Sequence, residues 1–216
     1  MRVIGMVKTA LIGLAMIAGG QAMAAGKLYE VISFGAPIAG TERLHAEDNG
    51  RADLGNDVSY KEVDEAGLAA LPNPPGTTRM VYEVMAPPIA TRRDATAEAA
   101  TLAKGSGEPA LHYLFAQLSP GPGHEAEFNA FYDSTHLPDV LNVPGMIWGL
   151  RARLVSASPG AKAPAYLALY QFRSFNLRAT IDEVNRRLKE QITRPFPKGA
   201  VGPPAFAFYA VPVADH

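Results

Sequence analysis

Residues 110–119 read ALHYLFAQLS and run into PGPG. Apolar and aromatic residues at this density, closed by a turn signal, predict a strand. Both of its phases are apolar: Leu111, Tyr113 and Phe115 on one side, Leu114, Ala116 and Leu118 on the other. Such a strand holds only between two layers, because either face left in water would expose apolar surface. No other feature of the chain limits the fold as much.

Three more strands follow, MIWGLRARLVS (146–156), AYLALYQFRS (165–174) and AFAFYAVPV (205–213). HEAEFNAFYDSTH (124–136) sets Phe128, Phe131, Tyr132 and Thr135 three and four residues apart, which is one face of a helix. NLRATIDEVNRRLKEQITR (176–194) opens on Asn176 as N-cap, repeats Leu177, Ile181, Val184, Leu188 and Ile192 at helical spacing, and stops at RPFP. The order β-α-β-β-α-β is a ferredoxin-like α+β unit with both helices on one face of the sheet. The other face needs a cover, either a second subunit in a homodimer or the region before residue 106.

That region is less readable. KLYEVISF (27–34) and TRMVYEVMAP (78–87) read as strands and share YEV. HAEDNGRADLGND reads as loop, VDEAGLAALPNPPG as a short helix and turn, and RDATAEAATLAKG (93–105) as another short helix. Residues 25–105 are either a degenerate second copy of the unit, giving a tandem pseudo-dimeric barrel, or an extension on a single unit spanning 106–216. The shared YEV speaks for the copy.

Arg2 and Lys8, the apolar TALIGLAMIAGG and the small-x-small AMA at Ala22–Ala24 predict a signal peptide over 1–24. The alternative is an uncleaved anchor. With cleavage the chain is periplasmic or secreted, with no membrane association. The chain has no cysteine, which excludes disulfide and thiolate chemistry. Its formal charge of −1, or −3 once the two leader cations are removed, gives no ground for a nucleic-acid partner. His45, His112, His124, His136 and His216 show no HxH or HxxxH spacing, and no G-x-S-x-G or phosphate loop is present. No metal is expected.

The candidate site is FYDSTHLPDVLNVPG (131–145). Tyr132 and His136 are four apart and neighbours on a helix, with Asp133 close enough to orient or charge the imidazole. Leu137 precedes Pro138, so the helix should break there. The helix dipole favours protonated His136 and burial opposes it. Such a histidine can act as a general acid or base near neutral pH. Equally, it can tie off a helix end by bonding to backbone. On the next strand Trp148 and Leu150 share one face, while Arg151 and Arg153 share the other with Ile147 and Gly149. Facing the barrel, an arginine could hold an anion or enolate; facing outward, it is a solvated edge charge. His112, Tyr166, Tyr170 and Tyr209 could add polar groups to an apolar cavity.

EFNAFYDSTHLPDVLNVPG (127–145), leading into MIWGLRARL, resembles the dimeric α+β barrel superfamily. It is most similar to the EthD-like branch, where a tyrosine, an acid and His-Leu-Pro recur at the end of the first helix. The resemblance spans residues 110–213. It implies a barrel with a small-molecule cavity, and the superfamily includes cyclases, lactone isomerases, dehydratases, decarboxylases, monooxygenases and haem-binding enzymes. The expectation is a cofactor-independent lyase or isomerase acting on a small carbonyl, lactone or aromatic substrate. His136, Tyr132 and Asp133 would be catalytic, and Trp148, Arg151, His112 and Tyr170 would bind substrate. The alternatives are a non-catalytic small-ligand-binding or interaction module and a haem- or oxygen-dependent enzyme.

Overall fold

The computed structural model describes residues 26–213, so the expected signal peptide lies outside the described residues. The first half comprises β1 (Leu28–Phe34), β2 (Glu42–Asn49), β3 (Asp57–Asp64), α1 (Glu65–Ala70) and β4 (Thr78–Val84). A connecting segment carries β5 (Ile89–Ala90) and α2 (Ala95–Leu102). The second half comprises β6 (Ala110–Pro120), α3 (Glu125–Phe131), a π-helical turn (Tyr132–His136), α4 (Leu137–Leu141), β7 (Met146–Ala157), β8 (Tyr166–Ser174), α5 (Leu177–Lys189) and β9 (Val201–Pro212).

Each half orders its strands as a ferredoxin-like unit does: β4-β1-β3-β2 in the first, β9-β6-β8-β7 in the second. The second strand of each half pairs antiparallel with the fourth strand of the other, β2 with β9 and β4 with β7. These two seams close eight strands into a barrel, which leaves no long edge exposed. The short β5 continues along β7 beside Gly149 and Trp148. The face of β6 that required a cover is therefore covered within the chain, and a second subunit is not needed to bury it.

The barrel interior draws on both halves. Ile32, Phe34, Leu44, Met80, Phe115, Leu150, Leu169 and Phe208 are each at most 2% exposed. Phe115 stacks on Phe208 with ring centroids 4.6 Å apart, and Phe34 meets Phe208 edge-on at 5.4 Å. Burying such a side chain contributes roughly 2–3 kcal/mol. Outside the barrel, α3, the π turn, α4 and α5 cover the second half, burying Leu114, Phe128, Tyr132, Tyr166, Tyr170 and Phe172. The two phases of β6 thus part as expected, Tyr113 and Phe115 inward and Leu114 toward the helices.

Four expectations are corrected. HAEDNGRADLGND is not a loop: it carries most of β2, a 3₁₀ turn (Ala52–Leu54) and the start of β3. β2 reads as polar because only Leu44 and Ala46 face the core, and in place of a first helix this half has the short segment 35–41. The two YEV triplets do not mark a repeat between halves. They lie on β1 and β4 of one half, which pair with Tyr29 opposite Glu83 and Glu30 opposite Tyr82. The first helix does not break at Leu137 but runs on to Leu141. The Leu137 N–H donates to the Tyr132 carbonyl, five residues back. Pro138 then falls in the first turn of α4, where its missing N–H costs little. Finally, α5 ends at Lys189 and leaves Leu188 and Ile192 exposed. Gln191 takes a left-handed φ of 57° just beyond it.

Candidate functional site

The π turn brings the sequence-nominated residues together between the helices and the outer face of the sheet. An inserted π turn widens a helix by one residue per turn and is often found at functional sites. Tyr132 and His136 both point from it into the helix–sheet layer, 1% and 9% exposed, with rings 5.0 Å apart. Phe196 packs beside them, its ring tilted against His136 at 4.5 Å and edge-on to Tyr132 at 5.4 Å.

Arg151 rises from β7 beneath the same turn and is 3% exposed. Its face looks away from the barrel, toward the helices. It is neither of the two arrangements expected, because the helix layer buries it. Its guanidinium donates to Asp133 Oδ1 at 2.7 Å and to Asn129 Oδ1 at 2.7 Å. It also lies over the Tyr132 ring at 4.4 Å and near Tyr166 at 5.1 Å. Asp133 thus serves the arginine and not the imidazole, which corrects the expected pairing. The acid near His136 is Asp139, itself bound by Arg194 at 2.8 and 2.9 Å.

Tyr170 reaches the layer from β8, fully buried, with its hydroxyl beside that of Tyr132 but without a well-formed hydrogen bond. Gly149 makes room for it. A Cβ there would stand 2.7 Å from Tyr170 Cδ1 and 3.1 Å from Leu137 Cδ1, closer than packed side chains tolerate.

Two nominated residues lie elsewhere. Trp148 faces the barrel interior and donates to Gln171 Oε1 at 2.9 Å, because strand alternation puts it opposite to Arg151. His112 stacks on Phe172 at 5.3 Å and bonds to the Ala110 carbonyl. Phe172 belongs to the helix-side core that also holds Tyr132, but His112 itself has no hydrogen bond or ring contact with Tyr132, His136 or Arg151.

Burial governs the ionisation of the cluster. It lowers the His136 pKa to about 4, against weaker upward pulls from the Arg194 backbone and Asp139. The imidazole is therefore neutral at physiological pH and not poised near it, a second correction. Burial pushes the Tyr132 hydroxyl up to about 12, opposed by Tyr170 and Arg151, and holds Tyr170 well above the usual tyrosine value. His112 is likewise lowered by burial.

Three buried polar atoms around Tyr132 have no hydrogen-bond partner: His136 Nδ1, Arg151 Nε and the Tyr170 hydroxyl. Buried polar groups are nearly always paired, so three in one cluster call for a missing partner. Beside the cluster, a cleft of about 390 Å³ opens at the β4–β7 seam, lined by Glu83, Val84, Met85, Asn129, Arg153 and Tyr166. Asn129 and Tyr166 are shared: they line the cleft and also touch Arg151. Asn129 and Phe196 were missed from the sequence. Asn129 sits one turn before Asp133 and could have been found by helical spacing; Phe196, in the loop RPFP, carries no such signal. Among the described residues no group of three or more acids or histidines is placed to hold a metal, and no helix is long and apolar enough to cross a membrane.

No family model matches the chain, and no curated protein matches it. Among solved structures it is similar to a major regulator of staphylococcal pathogenesis, at 13% identity and TM-score 0.45 over 86% of this chain and 99% of that one. A candidate monooxygenase of Fusobacterium nucleatum gives 9% and 0.48 over 89% and 94%, and an anthrone oxidase-like protein 11% and 0.44 over 88% and 93%. Likenesses this distant carry no chemistry, and the fold rests on strand order and seams. By those, the chain has the architecture of the dimeric α+β barrels, with both halves in one polypeptide.

Proposed function

We propose that this chain is an exported enzyme that needs no cofactor and moves a proton on a small carbonyl, lactone or aromatic substrate, as a lyase or isomerase. The supporting observation is the convergence of three unpaired buried atoms on Tyr132. Arg151 Nε and the Tyr170 hydroxyl are donors that a developing enolate oxygen would complete, in a layer dry enough for such bonds to count. Neutral His136, with Nδ1 free, takes the proton from the carbon next to that oxygen and returns it at a second position. Asp133 and Asn129 hold the guanidinium in place, and the adjoining cleft at the seam gives access. Export rests on the leader sequence and the EthD-like assignment on the YDSTHLP motif.

The test is conversion of compounds in a small-molecule extract of the source organism, followed by mass spectrometry. His136→Ala and Arg151→Met are each expected to lower conversion by about 10²-fold or more while the circular dichroism spectrum stays native. Two folded variants that turn over at the wild-type rate would refute the reading. One observation favours a second reading, a binding module without turnover. The depressed His136 and the elevated tyrosines are all neutral hydrogen-bonding groups, well suited to holding a ligand. In that case the extract yields a retained compound and no product.

A further inference from the structure

We propose that the end of the barrel built around Glu30 is a binding site for a small ammonium-type cation, an ammonium ion or primary amine. This site is separate from the helix–sheet layer and does not depend on the function proposed for it. Glu30 alternates with Ile32 and Phe34 on β1, so it points into the barrel with them. It is 0% exposed, and neither carboxylate oxygen makes a well-formed hydrogen bond, although the Tyr60 hydroxyl and the Glu62 carboxyl stand close by.

The groups facing Glu30 from every neighbouring strand are neutral or acidic. On β3 these are Tyr60 and Glu62, the latter directly opposite in register. On β4 it is Tyr82, whose hydroxyl is turned away to Gln117. On β6 it is Tyr113, which donates to Glu42 of β2 at 3.1 Å. No cation is among them. A carboxyl group so placed must either keep its proton or acquire a counter-cation. Burial raises its pKa to about 8, with Glu62 adding to the rise, so at neutral pH it holds the proton a cation would displace.

The surroundings suit a cation with N–H donors and some apolar character. The Tyr60 and Tyr113 rings pack beside each other, 5.6 Å apart and tilted by 51°, and aromatic rings of this kind attract cations. Glu62 is exposed and Glu42 partly so, and two carboxylates at the mouth raise the local cation concentration. Binding transfers the Glu30 proton to solvent and leaves the carboxylate paired with the ammonium group.

The chain supplies its own reporter. Trp148 is the single tryptophan and is wired to this end of the barrel through Gln171, which donates to the Tyr113 hydroxyl at 3.1 Å. Titrating the full chain with methylammonium chloride at pH 7 should change its fluorescence saturably. Sodium chloride at equal ionic strength should not. Calorimetry in two buffers of different ionisation enthalpy should show a proton released on binding. Glu30→Gln, close in size, should weaken binding by about tenfold or more. The proposal is overturned by the absence of saturable change, by an equal response to sodium, by a folded Glu30→Gln variant that binds as well as wild type, or by the lack of proton release. The last measurement needs only the wild-type chain and stands whatever the variant does.

Discussion

The two halves share a strand order but not a helix layer. In the second, α3, the π turn and α4 lie across the sheet and carry Tyr132, Asp133 and His136 over Arg151. In the first, residues 35–41 take the place of the corresponding helix, and only the six-residue α1 remains. Its outer cluster of Tyr29, Val31, Ile38, Val63, Leu71 and Val81 is correspondingly small. Closing a barrel thus needs only the strands of each half, whereas the helix–sheet site needs the helix. A half without that helix still completes the barrel core, but it carries no counterpart of the Tyr132 layer.

Substitutions in each half test this contrast. The largest effect should come where the halves share a core. Phe208→Ala removes a ring packed against Phe34 of one half and Phe115 of the other. It should cost about 3–5 kcal/mol in urea unfolding, with hydrogen exchange rising in β1 and β8 alike. A rise limited to the second half would mean that the barrel is not one cooperative unit.

Next comes Glu30 of the first half. Its folded pKa is raised from 4.5 to about 8, so its stabilising contribution is complete below pH 4.5 and disappears as pH climbs through 8. By pH 9 the loss is on the order of 4–5 kcal/mol. Glu30→Gln should flatten that alkaline decline; an unchanged pH profile would place the carboxyl in a wetter site than described.

The second half should show the opposite sign. His136 has a folded pKa lowered from 6.5 to about 4. Its contribution is complete above 6.5 and is lost as pH falls toward 4, on the order of 2–3 kcal/mol. His136→Phe should abolish that acid decline while leaving the alkaline one due to Glu30 intact. Smallest is the Asp64 cap of α1, which accepts from the Gly67 N–H at 2.7 Å. Asp64→Ala should cost about 1 kcal/mol and leave ligand binding at the second-half layer unaltered.

How much of this was legible in the sequence follows the same division. The second half could be read because its strands are apolar on both faces and its helices are long enough to show a period. Tyr132 and His136 were placed on one buried face by their spacing, which the π turn preserves. The first half hid β2 because ERLHAEDN buries only Leu44 and Ala46. Without a helix above it, its outer side chains remain polar, and the strand looks like a loop. Glu30 was available in principle: period two in LYEVISF sets it in line with Ile32 and Phe34. Arg51, fully buried against Gln117 and the Phe206 ring, follows β2 in a turn and carries no periodic signal. The Asp133–Arg151 pair was hidden for a different reason. It joins a helix to a strand, and no local pattern reports which acid an arginine will choose.

The central claim is that Tyr132 marks a ligand site left incomplete by the protein itself. It is tested most directly by a high-resolution crystal structure of the chain purified from its own source. A bound small molecule is expected in the helix–sheet layer, with an oxygen within about 3.2 Å of Arg151 Nε and of the Tyr170 hydroxyl. A structure in which Arg151 Nε, Tyr170 and His136 Nδ1 all bond to other protein groups, with the layer closed and no molecule in it, would show that Tyr132 marks no ligand site.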